Sequence, residues 1–122
     1  ELSTIDGGAD LVVLGCPHLS LQEFRDLSSL VEGRRSRVRF WLYTSRATLA
    51  VLERSGIASK LERFGAEIWS DTCMVVSPLE EMGVRRVATN SAKAAKYLKT
   101  LRGLDVEFLG LKEILRRYSV PE

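Results

Sequence analysis

Short apolar runs alternate with stretches of helical periodicity along the chain. The first run, Leu11–Leu14, is continuously apolar, a pattern that is typical of a strand buried on both faces of a sheet. Four more strands are predicted, and apolar residues spaced three and four apart predict amphipathic helices between them. The predicted strands cover residues 11–14, 38–43, 67–69, 84–88 and 106–109, and the predicted helices cover residues 21–31, 45–54, 57–64, 91–102 and 111–118.

Capping signals support these helix boundaries. Ser20 and Glu23 form a capping box, in which each side chain accepts a hydrogen bond from the other residue's backbone amide. The same motif returns at Ser77 and Glu80, so another helix is expected to begin there. Three glycines are expected to end helices, because glycine readily adopts the left-handed conformation of a C-cap: Gly33, Gly56 and Gly65.

The alternation of strands and helices predicts a single α/β domain over residues 1–122. Its three layers would be a mostly parallel five-stranded sheet with helices on both faces. The periodicity does not define the strand order, and the flavodoxin-like order 2-1-3-4-5 is a common choice for five strands. In that order the first and third strands are neighbours, with their axes about 4.8 Å apart.

The composition is that of an ordinary globular domain, with 122 residues, 45% hydrophobic and 28% charged. The formal net charge of +2 is too balanced to indicate a nucleic acid partner, and the arginine-rich run 34–39 is interpreted as a solvated loop. No apolar run reaches the length of about 18 residues that a membrane span needs, so no membrane contact is expected. Two cysteines in a chain of this size indicate the reducing cytoplasm.

Both cysteines follow predicted strands, at the edge where parallel sheets build their sites. In the order assumed above, Cys16 and Cys73 would lie close enough to share an iron–sulfur cluster. A disulfide and two inert buried thiols are the alternatives. A cluster normally takes three or four thiolates, so these two residues alone could not complete one.

Polar residues beside the cysteines have two interpretations each. His18, the one histidine of the chain, is either a proton donor beside a cluster or a loop imidazole bonded to nearby backbone. Asp71 and Thr72 precede Cys73, where they would either orient a substrate or only shape a turn.

Two further strand ends carry groups that suit an anion. Asn90, Ser91 and Lys93 stand at the start of a predicted helix, where free backbone amides and the helix dipole attract negative charge. The alternative is that Asn90 or Ser91 only caps the helix and Lys93 is solvated. Ser45 and Arg46 occupy a similar position after the second strand, where Arg46 could clamp a carboxylate or a phosphate.

Three segments, in this order along the chain, resemble the aconitase X family: residues 10–18, 71–78 and 89–95. The resemblance covers nearly the whole chain and implies the C-terminal portion of the large subunit of a two-subunit hydro-lyase. That origin would explain why the chain begins with Glu1 rather than Met. The implied partners are the remaining domains of the large subunit and a small swivelling subunit that closes over the site.

The resemblance also implies an iron–sulfur cofactor, a 4Fe–4S cluster, with Cys16 and Cys73 at two ligand positions and the remaining ligand outside this chain. The implied catalytic residues are His18 and Ser91. The implied substrate-binding residues lie at two strand ends and directly before the second cysteine: Ser45, Arg46, Asp71, Thr72, Asn90, Ser91 and Lys93.

The implied reaction is the dehydration of a small anionic hydroxy acid. One branch of the family acts on mevalonate 5-phosphate in a variant mevalonate route to isoprenoids, and another acts on cis-3-hydroxy-L-proline. The three segments do not separate these branches, and the isolated chain is expected to be inactive. It could also be a silent phosphate-binding or docking domain. A receiver-like module is disfavoured, because Gly15 and Cys16 stand where a receiver needs acidic residues.

Overall fold

The computed structural model of the chain describes residues 8–15, 19–70, 83–101 and 103–122. Seven strands occur in these residues: β1 (Leu11–Leu14), β2 (Arg34–Ser36), β3 (Arg39–Thr44), β4 (Ala66–Ser70), β5 (Arg86–Thr89), β6 (Asp105–Phe108) and β7 (Ser119–Pro121). Five helices occur with them: α1 (Leu21–Leu30), α2 (Arg46–Ser55), α3 (Ile57–Phe64), α4 (Ala92–Leu101) and α5 (Leu111–Tyr118).

The central sheet has five strands, and every pairing in it is parallel. All four residues of β1 are buried, as are the last five residues of β3, which agrees with their continuous apolar pattern. On one face the core includes residues of α1, α2, α3 and α5, and on the other face it includes residues of α4. The three-layer α/β fold is therefore confirmed.

The strand order differs from the flavodoxin-like order. The sheet order is β4-β3-β1-β5-β6, which places β3 between β1 and β4. The prediction that the first and third predicted strands are neighbours is therefore wrong. Because every buried strand carries the same apolar pattern, periodicity identifies the strands without identifying their neighbours. From β1 the chain continues to β3 and then to β4, both on the same side of β1. After β4 it returns to β5, which lies on the other side of β1.

Most helix boundaries follow the capping signals, but α1 ends at Leu30 with Val31 as its C-cap and not at Gly33 as predicted. Ser20 Oγ accepts from the Glu23 amide at 3.1 Å, and Glu23 Oε1 accepts from the Ser20 amide at 2.8 Å, which confirms the capping box. Gly56 and Gly65 end α2 and α3 with φ of +83° and +118°. The second predicted capping box, from Ser77, lies outside the described residues. The longest helices in the described ranges have ten residues, about 15 Å, which is too short to cross a membrane.

A small antiparallel sheet corrects the interpretation of the run 34–39 as a solvated loop. β2 pairs with β7, with Arg35 opposite Val120. Arg34 is half-buried, and its guanidinium donates to Ser119 Oγ at 2.8 Å and to the Ser119 carbonyl oxygen at 3.0 Å. Arg34 therefore stabilises the end of α5. A polar strand of three residues has no apolar alternation by which the sequence could reveal it.

Candidate active site

The strand order creates a crevice between the carboxyl ends of β1 and β5. After β1 the chain passes to α1 on one face of the sheet, and after β5 it passes to α4 on the other face. Ligands of open α/β sheets bind where neighbouring connections diverge in this way. Val13 pairs with Thr89, so the two connections begin at the same level of the sheet. We therefore place the candidate site between the β1–α1 connection and the β5–α4 turn.

The β1–α1 connection is fastened to the end of β3. The Leu19 amide donates to the Tyr43 carbonyl oxygen at 3.0 Å, and Thr44 Oγ1 donates to the Leu19 carbonyl oxygen at 3.4 Å. Gly15 has φ of +92°, and a Cβ atom there would lie 2.8 Å from Leu19 Cγ and from the Tyr43 carbonyl oxygen. Only glycine fits this position without a shift of its neighbours.

Five of the predicted site residues lie outside the described residues, and their roles stay predictions: Cys16, His18, Asp71, Thr72 and Cys73. The strands that precede them, β1 and β4, are parallel and end at the same edge of the sheet. One strand lies between them, so their axes are about 10 Å apart rather than about 4.8 Å. In the part of the chain that the structure describes, no cluster of three or more His, Cys, Asp and Glu side chains could hold a metal ion.

The β5–α4 turn is built on two hydroxyl groups. Thr89 is fully buried, and its Oγ1 accepts from the Ser91 amide at 3.2 Å. Ser91 Oγ accepts from the Ala94 amide at 3.1 Å, so Ser91 caps α4. This bond uses a lone pair of the Ser91 hydroxyl and not its proton.

The start of α4 is electropositive. Lys93 is exposed in the first turn, which contains no acidic residue, and Asn90 is half-buried just before it. The helix dipole adds positive charge at the same end of α4. The backbone amides of a helix start, together with a lysine, make this turn suitable for an anionic group.

Ser45 caps a helix, and its role in substrate binding stays a prediction. Its Oγ accepts from the Thr48 amide at 3.2 Å and donates to Thr48 Oγ1 at 3.0 Å, so Ser45 is the N-cap of α2. Arg46 is exposed at the first position of that helix. Because β1 lies between β3 and β5, the structure does not place Arg46 on the strand end next to Lys93.

Two buried threonines of the site, Thr44 and Thr89, were not predicted as site residues from the sequence. Both are 0% exposed, and each is the last residue of its strand. Their hydroxyl groups bind the backbone of the connections that frame the crevice. A threonine that ends an apolar strand and shortly precedes a serine cap is the signal that could have revealed them.

Trp69 places an unusual donor near the end of β4. Its Nε1 is buried, and no acceptor for it lies in residues 8–15, 19–70, 83–101 and 103–122. Its ring packs on Trp41 with centroids 5.3 Å apart, and Trp41 Nε1 donates to Glu67 Oε1 at 3.2 Å. A buried donor without an acceptor costs about 1–3 kcal/mol, so this end of β4 is where a further polar group would be stabilising.

Comparisons with known proteins bear on the whole chain. A family model described as the aconitase X third domain matches residues 9–119. The phosphomevalonate dehydratase large subunit of Methanocaldococcus jannaschii is 38% identical over 95% of this chain and 29% of that protein. The cis-3-hydroxy-L-proline dehydratase of Pseudomonas aeruginosa is 43% identical over 84% of this chain and 18% of that protein.

A solved structure has the same fold. The crystal structure of Thermococcus kodakaraensis aconitase X in its holo-form matches 90% of this chain and 28% of that chain, with a TM-score of 0.84 and 30% sequence identity. The chain thus spans less than a third of the length of the proteins that it matches.

Proposed function

The chain belongs to the aconitase X family, and from its match to the third domain of that family we propose that it is one α/β domain of a dehydratase large subunit. The proposed substrate of the complete enzyme is mevalonate 5-phosphate, in the cytoplasm and within a mevalonate route to isoprenoids. The alignment with the large subunit of phosphomevalonate dehydratase supports this proposal, since it covers 95% of the chain. The electropositive start of α4 supports it too, because this substrate carries a phosphate and a carboxylate.

The proposed reaction removes water from two adjacent carbon atoms. A base takes the proton from the carbon next to the carboxylate, a double bond forms, and the hydroxyl group leaves from the following carbon. Hydroxide is a poor leaving group, so its departure needs an acid. We assign His18 and the Ser91 hydroxyl as candidate groups for holding or moving a proton at that oxygen. The base is left to the remainder of the enzyme.

The substrate would be held mainly at the β5–α4 turn. Asn90 and Ser91 would present polar groups to its anionic end, and Lys93 would add a positive charge. Arg46 with Ser45, one strand beyond β1, and Asp71 with Thr72, after β4, would contact more distant parts of the substrate. Burial of Thr89 keeps the turn rigid, since its hydroxyl group already binds the Ser91 amide.

Cys16 and Cys73 are the candidate ligands of an iron–sulfur cluster. Thiolates are the ligands that such clusters take, and both cysteines follow strands that end at the same edge of the sheet. Two thiolates are fewer than a cluster needs, so the remaining ligand would come from another part of the large subunit. When bound, the cluster would supply a Lewis acid for the departing hydroxyl group.

A second candidate substrate is cis-3-hydroxy-L-proline. The Pseudomonas aeruginosa dehydratase that bears this name is 43% identical over 84% of the chain, a higher identity over a shorter alignment. This substrate has no phosphate, so it makes less use of Lys93. The isolated chain is proposed to be inactive, because the small subunit and the remaining domains complete the site.

The two substrates are tested side by side on the complete two-subunit enzyme. We expect the higher kcat/KM for the dehydration of mevalonate 5-phosphate. A higher kcat/KM for cis-3-hydroxy-L-proline would instead assign the enzyme to the hydroxyproline dehydratases. Iron and sulfide content is measured in parallel on Cys16→Ser and Cys73→Ser. Each variant should lose bound iron, and wild-type content in both would refute the ligand assignment.

A further inference from the structure

A groove of about 460 Å³ lies at the amino edge of the sheet, opposite the candidate site. Ala9 precedes β1, Arg37 precedes β3, and Tyr118 ends α5, and all three residues line this groove. Substrate groups at the carboxyl ends of the strands do not extend to this edge. The groove therefore needs an explanation of its own, and we call it the arginine groove.

Buried polar contacts hold Arg117 and Tyr118, two of the residues that line the arginine groove. Glu107 is 1% exposed, and its carboxylate pairs with Arg117 Nη1 at 2.6 Å and accepts from the Tyr118 hydroxyl. The Tyr118 oxygen accepts in turn from the Ala9 amide at 3.2 Å. Burial, reinforced by the hydrogen bond to Glu107, raises the pKa of Tyr118 to about 12, so its hydroxyl stays protonated at neutral pH.

Three described carboxylates near the groove already have partners. Glu107 pairs with Arg117, as described above. Glu113 pairs with Arg116 and Arg117, and hydrogen bonds from these two guanidinium groups lower the pKa of its carboxyl. Asp10, next to the groove, accepts from the backbone amide of Arg86 at 3.2 Å.

Two arginines at the groove form no ion pair with a described carboxylate. Arg37 is fixed in place, since its amide donates to the Tyr118 carbonyl oxygen at 2.7 Å and its Nη1 donates to the Arg117 carbonyl oxygen at 3.2 Å. The Arg86 guanidinium lies beside Gly8, 3.3 Å from where a Cβ atom of that residue would be. Within the described ranges, no carboxylate forms an ion pair with Arg37 or Arg86.

We propose that the arginine groove docks an acidic segment of the remaining large-subunit polypeptide, with Arg37 and Arg86 binding its carboxylates. Arginine suits this role because its planar guanidinium forms two parallel hydrogen bonds with a carboxylate. The inference rests on the proposed function, which makes the chain one domain of a longer subunit. A relative of the chain has enough additional polypeptide to provide such a segment, since this chain covers 29% of the Methanocaldococcus jannaschii protein.

Carbodiimide cross-linking of the full-length large subunit tests the proposal. Arg37→Lys and Arg86→Lys replace each guanidinium with an amine that couples to a carboxylate in direct contact, and Arg25→Lys on the exposed face of α1 is the matched control. Mass spectrometry should find a bond from position 37 or 86 to an Asp or Glu outside this chain, at several times the yield from position 25. That yield should fall at 1 M salt, where the screening length is about 3 Å.

Cross-links that stay within this chain would overturn the proposal. Charge reversal gives a second measurement, because Arg37→Glu with Arg86→Glu should lower the Tm of the full-length subunit by more than that of the 122-residue chain, in which Arg37 loses its bond to the Arg117 carbonyl oxygen. An equal fall in both would mean that these arginines act within the domain, which also overturns it. A third outcome would also overturn the proposal: an oligonucleotide that binds the wild-type subunit and is released by Arg37→Glu. Dehydratase assays on the wild type are independent, so a failure of the proposed function is seen separately.

Discussion

The backbone amide of Leu19 donates to the carbonyl oxygen of Tyr43 at 3.0 Å, which ties the connection after β1 to the end of β3. Gly15, where that connection begins, has no room for a side chain against the same carbonyl oxygen. The backbone at Gly15 and at Leu19 is therefore held in place by the end of β3.

Gly15→Ala should destabilise the chain through both strain and contact. A non-glycine residue at positive φ costs about 1–3 kcal/mol, and here the new methyl group would also press on Leu19 and on backbone. Gly33→Ala is the matched control, because Gly33 has φ of +75° with nothing within 4 Å of the added Cβ atom. Urea unfolding should show a clearly larger loss at Gly15, and equal losses would contradict the steric argument.

Ser91→Ala should lower the free energy of unfolding by about 0.5–2 kcal/mol, because it removes the cap of α4. Ser45→Ala removes the equivalent cap of α2 and should cost a similar amount. Ser91→Asn keeps a capping oxygen, so it should recover the lost stability. If the Ser91 hydroxyl also takes part in the reaction, turnover of the complete enzyme stays low in Ser91→Asn, whereas recovered turnover would limit this residue to capping.

Lys93→Ala should weaken substrate binding without unfolding the domain, since the side chain is exposed. Loss of one hydrogen bond to a charged group costs about 1.5–3 kcal/mol, so KM for mevalonate 5-phosphate should rise about tenfold or more. Lys96→Ala, an exposed lysine one turn along α4, is the control. Identical kinetics in the two variants would remove Lys93 from the site.

Tyr118 should make the chain sensitive to alkali. Its pKa is raised to about 12 in the folded chain, mainly by burial, against about 10 when it is unfolded. The stability that this shift contributes is complete below about pH 10 and is lost as the pH rises towards about 12. In Tyr118→Phe that loss disappears, so the stability curves of the two proteins should converge with rising pH. Parallel curves would show that Tyr118 does not titrate in this range.

Glu107→Gln should cost more stability than Glu113→Gln. The Glu107 carboxylate is buried and binds both Arg117 and Tyr118, so its loss should lower the free energy of unfolding by about 2 kcal/mol or more. Glu113 binds arginines at the surface, where solvent screens the interaction. Thermal unfolding at neutral pH compares the two variants, and the reverse order would contradict the assigned burial.

Local signals in the sequence predict most of the elements. The capping box at Ser20 and the glycines at 56 and 65 carry their own physical reason, so the helices begin and end close to the expected residues. The three resembling segments lead to the family that the match over residues 9–119 confirms. Capping signals and short motifs lie within a few neighbouring residues, so a single sequence is enough to recognise them.

Relations between distant residues were not predictable in this way. The position of β3 beside β1 and the pairing of β2 with β7 depend on long-range packing that leaves no periodic trace. Thr44 and Thr89 look like ordinary strand residues until their partners are known. The hydroxyl groups of Ser45 and Ser91 suit a helix cap and a substrate ligand equally well, so the sequence alone does not separate the two roles. The structure shows both residues as caps, and their substrate binding stays a prediction.

The ribbon of β2 and β7 has a mechanical consequence. Beyond its last rung, the Glu122 amide donates to the Gly33 carbonyl oxygen at 2.9 Å. A pulling force applied at Glu122 would therefore break these hydrogen bonds one after another. It would reach α5 only after β7 had separated from β2. The hydrogen bonds from Arg34 to Ser119 would be the last to break before the force acted on α5.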